Sequence, residues 1–116
     1  MAGLAYCVGS IVLKPLKMAK NEDFLNTFNL NVMGAVQALK YSEPHLKSNK
    51  GSVVLFSSIA SGYGFANHSV ISTSKGAIEG LTHALAAEWA PHVRVNAIAP
   101  SLTESKMAEP LLKNQA

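Results

Sequence analysis

The sequence predicts an α/β fold, about three parallel strands joined by two long crossover helices, in one domain spanning residues 1–116. Three observations carry that expectation. Residues 53–57, VVLFS, are a charge-free run of β-branched and large apolar side chains, the composition of a strand buried on both faces. Residues 21–47 and 70–90 repeat apolar side chains at threefold and fourfold steps, the period of a helix. Residues 93–98, VRVNAI, read as a third strand of alternating type.

Taken in order, residues 3–8, GLAYCV, form a short apolar strand that exits at Gly9 and Ser10. Cys7 in that strand is expected to be a small buried hydrophobe, since nothing nearby in sequence would stabilise a thiolate. Residues 11–20 hold Pro15 and three lysines and suit a surface connection. Asn21 can cap the first helix, with Glu22 and Asp23 favourable in its first turn. Phe24, Phe28, Val32, Val36 and Leu39 make its apolar stripe, and a kink is expected near Pro44. Asn31 stands one position off the stripe. Asn49, Lys50 and Gly51 turn the chain into the central strand, Ser52 to Ser57. The loop SGYGFANH, with two glycines and two aromatics, leads to the second helix, which Pro91 stops. Ile78, Leu81, Leu85 and Trp89 form that helix's stripe, with Trp89 read as packing.

Composition narrows the function. The chain is 48% hydrophobic with 15% charged residues, which suits a packed domain rather than a disordered one. No apolar run reaches the roughly 18 residues of a membrane span, and no signal peptide is evident at the amino terminus. A lone cysteine excludes an internal disulfide, so a reducing cytoplasmic setting is expected. The formal charge is +3, but the basic residues are scattered lysines with a single arginine, so nucleic-acid binding is not expected. His45, His83 and His92 have no partners at metal-ligand spacing, and no metal is expected.

The chemistry is concentrated between Ser57 and Lys75. Two serines close the central strand at its carboxyl end, where open parallel sheets bind ligands, and Lys75 returns to the same edge from the start of the next helix. Gly76 and Ala77 beside it are small enough for close helix–sheet approach. With Asn31, in LNVMG, 27 residues before Ser58, these features resemble the short-chain dehydrogenase/reductase family along nearly the whole chain. The family's set is Asn, Ser, Tyr and Lys, the last two spaced Tyr-x-x-x-Lys. Asn31, Ser58 and Lys75 take three of those positions.

The resemblance implies a partial Rossmann-like, doubly wound fold and NAD or NADP as cofactor. It also implies hydride exchange with a small carbonyl or alcohol substrate. By the same resemblance Ser58 would bond the substrate oxygen, and Asn31 would distort its helix and hold a water. Lys75 would bind the nicotinamide ribose and lower the pKa of the tyrosine, which moves the proton. The family's Asn-Asn-Ala-Gly stretch corresponds to Tyr6, Cys7, Val8 and Gly9, which keeps only the cofactor-side glycine. Pro100 and Thr103 take positions over the nicotinamide, with Ser101 in place of a glycine; Thr103 equally suits a helix cap.

Two departures limit what the resemblance implies. The tyrosine position is Ile71, which carries no proton; His68 and Tyr63 are the candidate substitutes. The family's Gly-x-x-x-Gly-x-Gly turn, which cradles the pyrophosphate, is not in these residues, so cofactor binding is expected to be weak or absent. The expectation is therefore an incomplete Rossmann-like domain without its amino-terminal dinucleotide-binding strands, its opening strand an unpaired edge. It would be a truncated, catalytically impaired relative of nicotinamide-dependent oxidoreductases. The alternative is a non-catalytic module for oligomerisation or small-molecule binding, with copies pairing through helices 21–47 and 70–90.

Overall fold

A computed structural model describes residues 2–100. The order of elements is β1 (Gly3–Tyr6), α1 (Asn21–Phe28), a π turn (Asn29–Met33), α2 (Gly34–Ser48), β2 (Ser52–Phe56), α3 (Ser69–Trp89) and β3 (Arg94–Ile98). Short 3-10 turns lie at Leu16–Met18 and Ile59–Ser61. The sheet order is β1-β2-β3, with β2 parallel to both neighbours and Val53 paired with Leu4 on one side and Val95 on the other. The α/β class and the three-strand count stand as expected, and β1 is an edge of this sheet.

Val53 and Leu55 are fully buried, while Val54 and Phe56, which alternate with them, are only half-buried. Among the described residues the helices cover one face of the sheet, so β2 is not buried on both faces as its composition suggested. The covered face packs Val53, Leu55, Val93 and Val95 against Val32, Ala35, Leu39 and Leu46 from the first helical segment, and against Ile78 and Trp89 of α3. Both apolar stripes read from the sequence point into this core. Helix α3 ends where expected: Ala90, ahead of Pro91, is already extended.

Several local expectations are corrected. The helix expected at 21–47 is interrupted, and the irregularity falls at the π turn; α2 continues through Pro44 to Ser48. A wide turn accommodates one extra residue, and that rotates Asn31 from beside the stripe into the interior, where it is 1% exposed. Cys7 is exposed, because β1 leaves its partner after Tyr6 and Cys7 belongs to the exit. Lys75 stands in the second turn of α3, not the first. A β-carbon added at Gly76 would meet nothing within 4 Å among the described residues, so close approach to the sheet is not what that glycine provides. Ala77 does pack against the core.

Candidate active site

Strand β2 delivers two serines to its carboxyl end, and they do different work. Ser57 is 4% exposed; its hydroxyl donates to the Lys75 carbonyl at 3.2 Å and lies 3.2 Å from the Ser61 hydroxyl. This ties the strand tip to α3. Ser61 has one proton for two acceptors, the Ser58 carbonyl at 2.8 Å and the Glu79 carboxylate. Ser58 is half-buried and caps the 3-10 turn, its hydroxyl oxygen accepting from the Ala60 N–H at 3.1 Å. That bond uses one lone pair. The hydroxyl proton finds no acceptor among the described residues.

Lys75 is placed by the way β1 and β2 separate. The Ser52 N–H donates to the Ala2 carbonyl, so the even-numbered peptide groups of β2 face β1. The pairing stops at Tyr6 with Leu55, and the Phe56 carbonyl continues that row beyond it. Lys75 Nζ donates to this carbonyl at 3.0 Å, where a strand amide would otherwise stand. No carboxylate bridges Lys75 among the described residues. Partial burial therefore acts unopposed and holds its ammonium below the ordinary lysine pKa.

Gly9 connects Lys75 to Asn31. A β-carbon at Gly9 would lie 2.6 Å from Asn31 Oδ1 and 3.7 Å from Lys75 Nζ. Three residues far apart in sequence thus share one crevice at the β1 exit, and only a glycine leaves the space free. Asn31 Nδ2 donates to the Thr27 carbonyl at 2.9 Å, while its Oδ1 is buried and has no hydrogen-bond partner. A buried carbonyl oxygen without a donor is costly, and this one faces the Gly9 backbone beside an ammonium.

The remaining candidates lie around the loop after Ser58. Ile71, at the tyrosine position, is 5% exposed. His68 precedes α3 with its Nδ1 2.7 Å from the Ala66 carbonyl, and it lines a cavity of about 350 Å³ with Lys14, Ala60, Phe65, Asn67 and Ser72. The Lys14 N–H donates to the Asn67 carbonyl at 3.0 Å, closing the connection after β1 against this loop. Tyr63 is 72% exposed and does not line the cavity. The Pro100 carbonyl accepts from the Ile59 N–H at 3.4 Å, which puts the end of β3 beside the Ser58 turn. Thr103 lies outside the described residues. Among those residues no group of three or more acidic, histidine or cysteine side chains could hold a metal ion, and no helix is long and apolar enough to cross a membrane.

Asn31, Ser58, Lys75 and Gly9 were named as site residues from the sequence; Tyr6, Thr27, Ser61 and Glu79, which bond to them or to the groups that hold them, were not. Tyr6 had one available signal: a phenol at the end of a strand, three residues before Gly9.

A three-stranded parallel sheet joined by helical crossovers, with polar side chains at its carboxyl edge, is an α/β, Rossmann-like fragment. A sequence model of the short chain dehydrogenase family matches residues 1–116, and the chain belongs to the short-chain dehydrogenase/reductase family. It is 42% identical over 95 residues to a hydroxynaphthalene reductase of Aspergillus fumigatus, a match covering 81% of this chain and 34% of that protein. It is 36% identical over 110 residues to a chloroplastic tropinone reductase homologue of Arabidopsis thaliana, covering 93% and 34%. Among solved structures it resembles a short-chain dehydrogenase/reductase of Brucella melitensis, with TM-score 0.93, 30% identity and coverage of 99% and 46%. It also resembles ElxO with NADP bound, with TM-score 0.87, 27% identity and coverage of 97% and 47%. The chain thus spans about a third of the length of these curated relatives and under half of these solved chains.

Proposed function

We propose that this chain forms the ribose-side and substrate-side wall of a nicotinamide-dependent site for carbonyl or alcohol redox, with its proton-transfer step impaired. The observation that carries the reading is the crevice shared by Gly9, Asn31 and Lys75. Its lysine fits the nicotinamide ribose of NAD or NADP, with two N–H groups beyond the one bonded to Phe56, while Gly9 leaves room for the buried Asn31 carbonyl beside it. Hydride transfer is the chemistry that the nicotinamide supplies when bound. Lys75 would bind the ribose hydroxyls, and the free Ser58 proton would bond the substrate oxygen. The cavity beside the Ser58 loop would receive the rest of a small, largely apolar carbonyl compound.

Ile71 is the weak point of this site. A positioned general acid contributes about 10²–10⁴ in rate, and isoleucine contributes none. His68 is a better substitute than Tyr63, because it lines the cavity and Tyr63 does not. With no glycine-rich turn in the sequence to hold a pyrophosphate, binding of the dinucleotide by this chain would be weak.

A second reading is a non-catalytic, self-associating module. Leu25, Leu30, Met33 and Tyr41 are exposed along α1, the π turn and α2, and Tyr41 is 78% exposed. Contact between copies through this side and α3 would cover them. Light scattering during size-exclusion chromatography decides it: a monomer at all concentrations removes this reading.

The leading reading is tested by adding NADPH, and separately NADH, to ¹⁵N-labelled chain. Amide shifts at Gly9, Asn31 and Lys75 are expected; shifts elsewhere only, or none at millimolar ligand, would refute it. In Ile71→Tyr, reduction of a panel of carbonyl compounds should rise at least tenfold over the parent chain.

A further inference from the structure

Three observations converge on the π turn. Within it the Gly34 N–H donates to the Asn29 carbonyl, five residues back, and not to Leu30, four residues back. The Leu30 carbonyl therefore lacks its α-helical donor. The Tyr6 hydroxyl reaches across from the end of β1 and donates to that carbonyl at 2.6 Å. To get there it passes over Gly34: a β-carbon at that position would stand 2.0 Å from the Tyr6 hydroxyl oxygen and 3.0 Å from the ring carbon bearing it.

We propose that Tyr6 is a positioning residue for Asn31, its hydroxyl crossing the bare backbone of Gly34 to hold the carbonyl that the π turn frees at Leu30. The π turn is what brings Asn31 inward, and a freed carbonyl is its cost. Water could satisfy that carbonyl equally well, but water would not fix its direction. A phenol on a strand does. The same stretch of chain then touches the turn a second time, three residues later, where the Gly9 backbone meets Asn31 Oδ1. Tyr6 and Gly9 thus grip consecutive residues, Leu30 and Asn31, from one side. The Thr27 carbonyl holds the Asn31 amide from the other. The importance of Asn31 rests on the functional reading above; the grip itself does not.

The test uses Tyr6→Phe, Gly34→Ala and the double variant in the 116-residue chain. In Tyr6→Phe the side-chain amide resonance of Asn31 should move, and its hydrogen exchange should accelerate about tenfold relative to amides of β2 and α3. A merely structural role for Tyr6 would speed exchange throughout and leave Asn31 unremarkable among the core amides. Gly34→Ala should reproduce the Asn31 shift. Its destabilisation, read as the change in urea midpoint, should fall by at least half in the Tyr6→Phe background, because the hydroxyl it strikes is gone. An unmoved Asn31 resonance in Tyr6→Phe, or additive midpoint shifts in the double variant, would overturn the inference. If these results hold while NADPH perturbs nothing in the parent chain, the functional reading fails and this one stands.

Discussion

Gly9→Ala places a methyl group where the crevice is narrowest. The new carbon would stand 2.6 Å from Asn31 Oδ1 and 3.5 Å from Asn31 Cγ. A β-carbon essentially never stands closer than 3.0 Å to another heavy atom, so one side must retreat by 0.4 Å or more, from 2.6 to 3.0 Å. Asn31 has little freedom to do so. It is 1% exposed and its amide is held on the Thr27 carbonyl at 2.9 Å. Overpacking of this kind costs about 1–3 kcal/mol, and breaking the Thr27 bond lies within the same range. With a urea m-value of about 1–3 kcal/mol/M, the midpoint should fall by about 1 M with no change in slope. Two controls isolate the cause. In Gly9→Ala/Asn31→Ala the obstructing amide is absent, so most of the loss attributable to Gly9→Ala should disappear. Gly80→Ala, where the added carbon meets nothing within 4 Å on an exposed helical position, should stabilise by about 0.8–1 kcal/mol. A midpoint for Gly9→Ala within about 0.1 M of the parent would refute the shared crevice, and with it the reasoning for the site.

Three further outcomes follow. Burial of the Lys75 charge lowers its folded pKa, so the folding penalty is full at neutral pH and relieved as pH rises from that lowered value to the unfolded one. Stability should therefore gain in that alkaline window, and the gain should vanish in Lys75→Met; amine acylation read by mass spectrometry should also modify Lys75 at lower pH than the exposed lysines. The Asp23 carboxyl is held below its ordinary pKa, first by the Lys20 backbone N–H and then by Lys14. Its contribution is present above the unfolded value near 3.8 and lost as pH falls through the folded one, so Asp23→Asn should flatten the acid limb of a stability–pH curve measured by circular dichroism. Leu55→Ala, at a position with no exposure in the central strand, should cost about 2–5 kcal/mol in urea unfolding; a loss below 1 kcal/mol would mean that the sheet face is not packed as described.

The sequence made the scaffold legible because its signals are periodic and local. Phe28, Val32, Val36 and Leu39 announce the first helical face, and the core uses all four. The site was legible in part, since Asn31, Ser58 and Lys75 are polar residues at spacings that topology brings to one edge. The positions missed were set by backbone events that leave no composition behind. The extra residue in the turn at 29–33 moved Asn31 inward, and periodicity cannot count a register that shifts within a helix. The early exit of β1 exposed Cys7 and released the Phe56 carbonyl that Lys75 takes. The partner of Tyr6 was unreadable for the same reason, because that acceptor exists only once the turn has widened.

The wide turn also bears on how this chain tolerates change. It is a matter of chain length, not of side-chain identity, so replacing one residue at a time between Asn29 and Met33 leaves the surplus peptide unit in place. Deleting a single residue there would let ordinary helical spacing close up. Gly34 to Ser48 would keep Ala35 and Leu39 on the sheet, but the widening that turns Asn31 inward and frees the Leu30 carbonyl would be lost. The segment should accept many spellings, and a loss of one residue there should cost the placement of Asn31 before it costs the core.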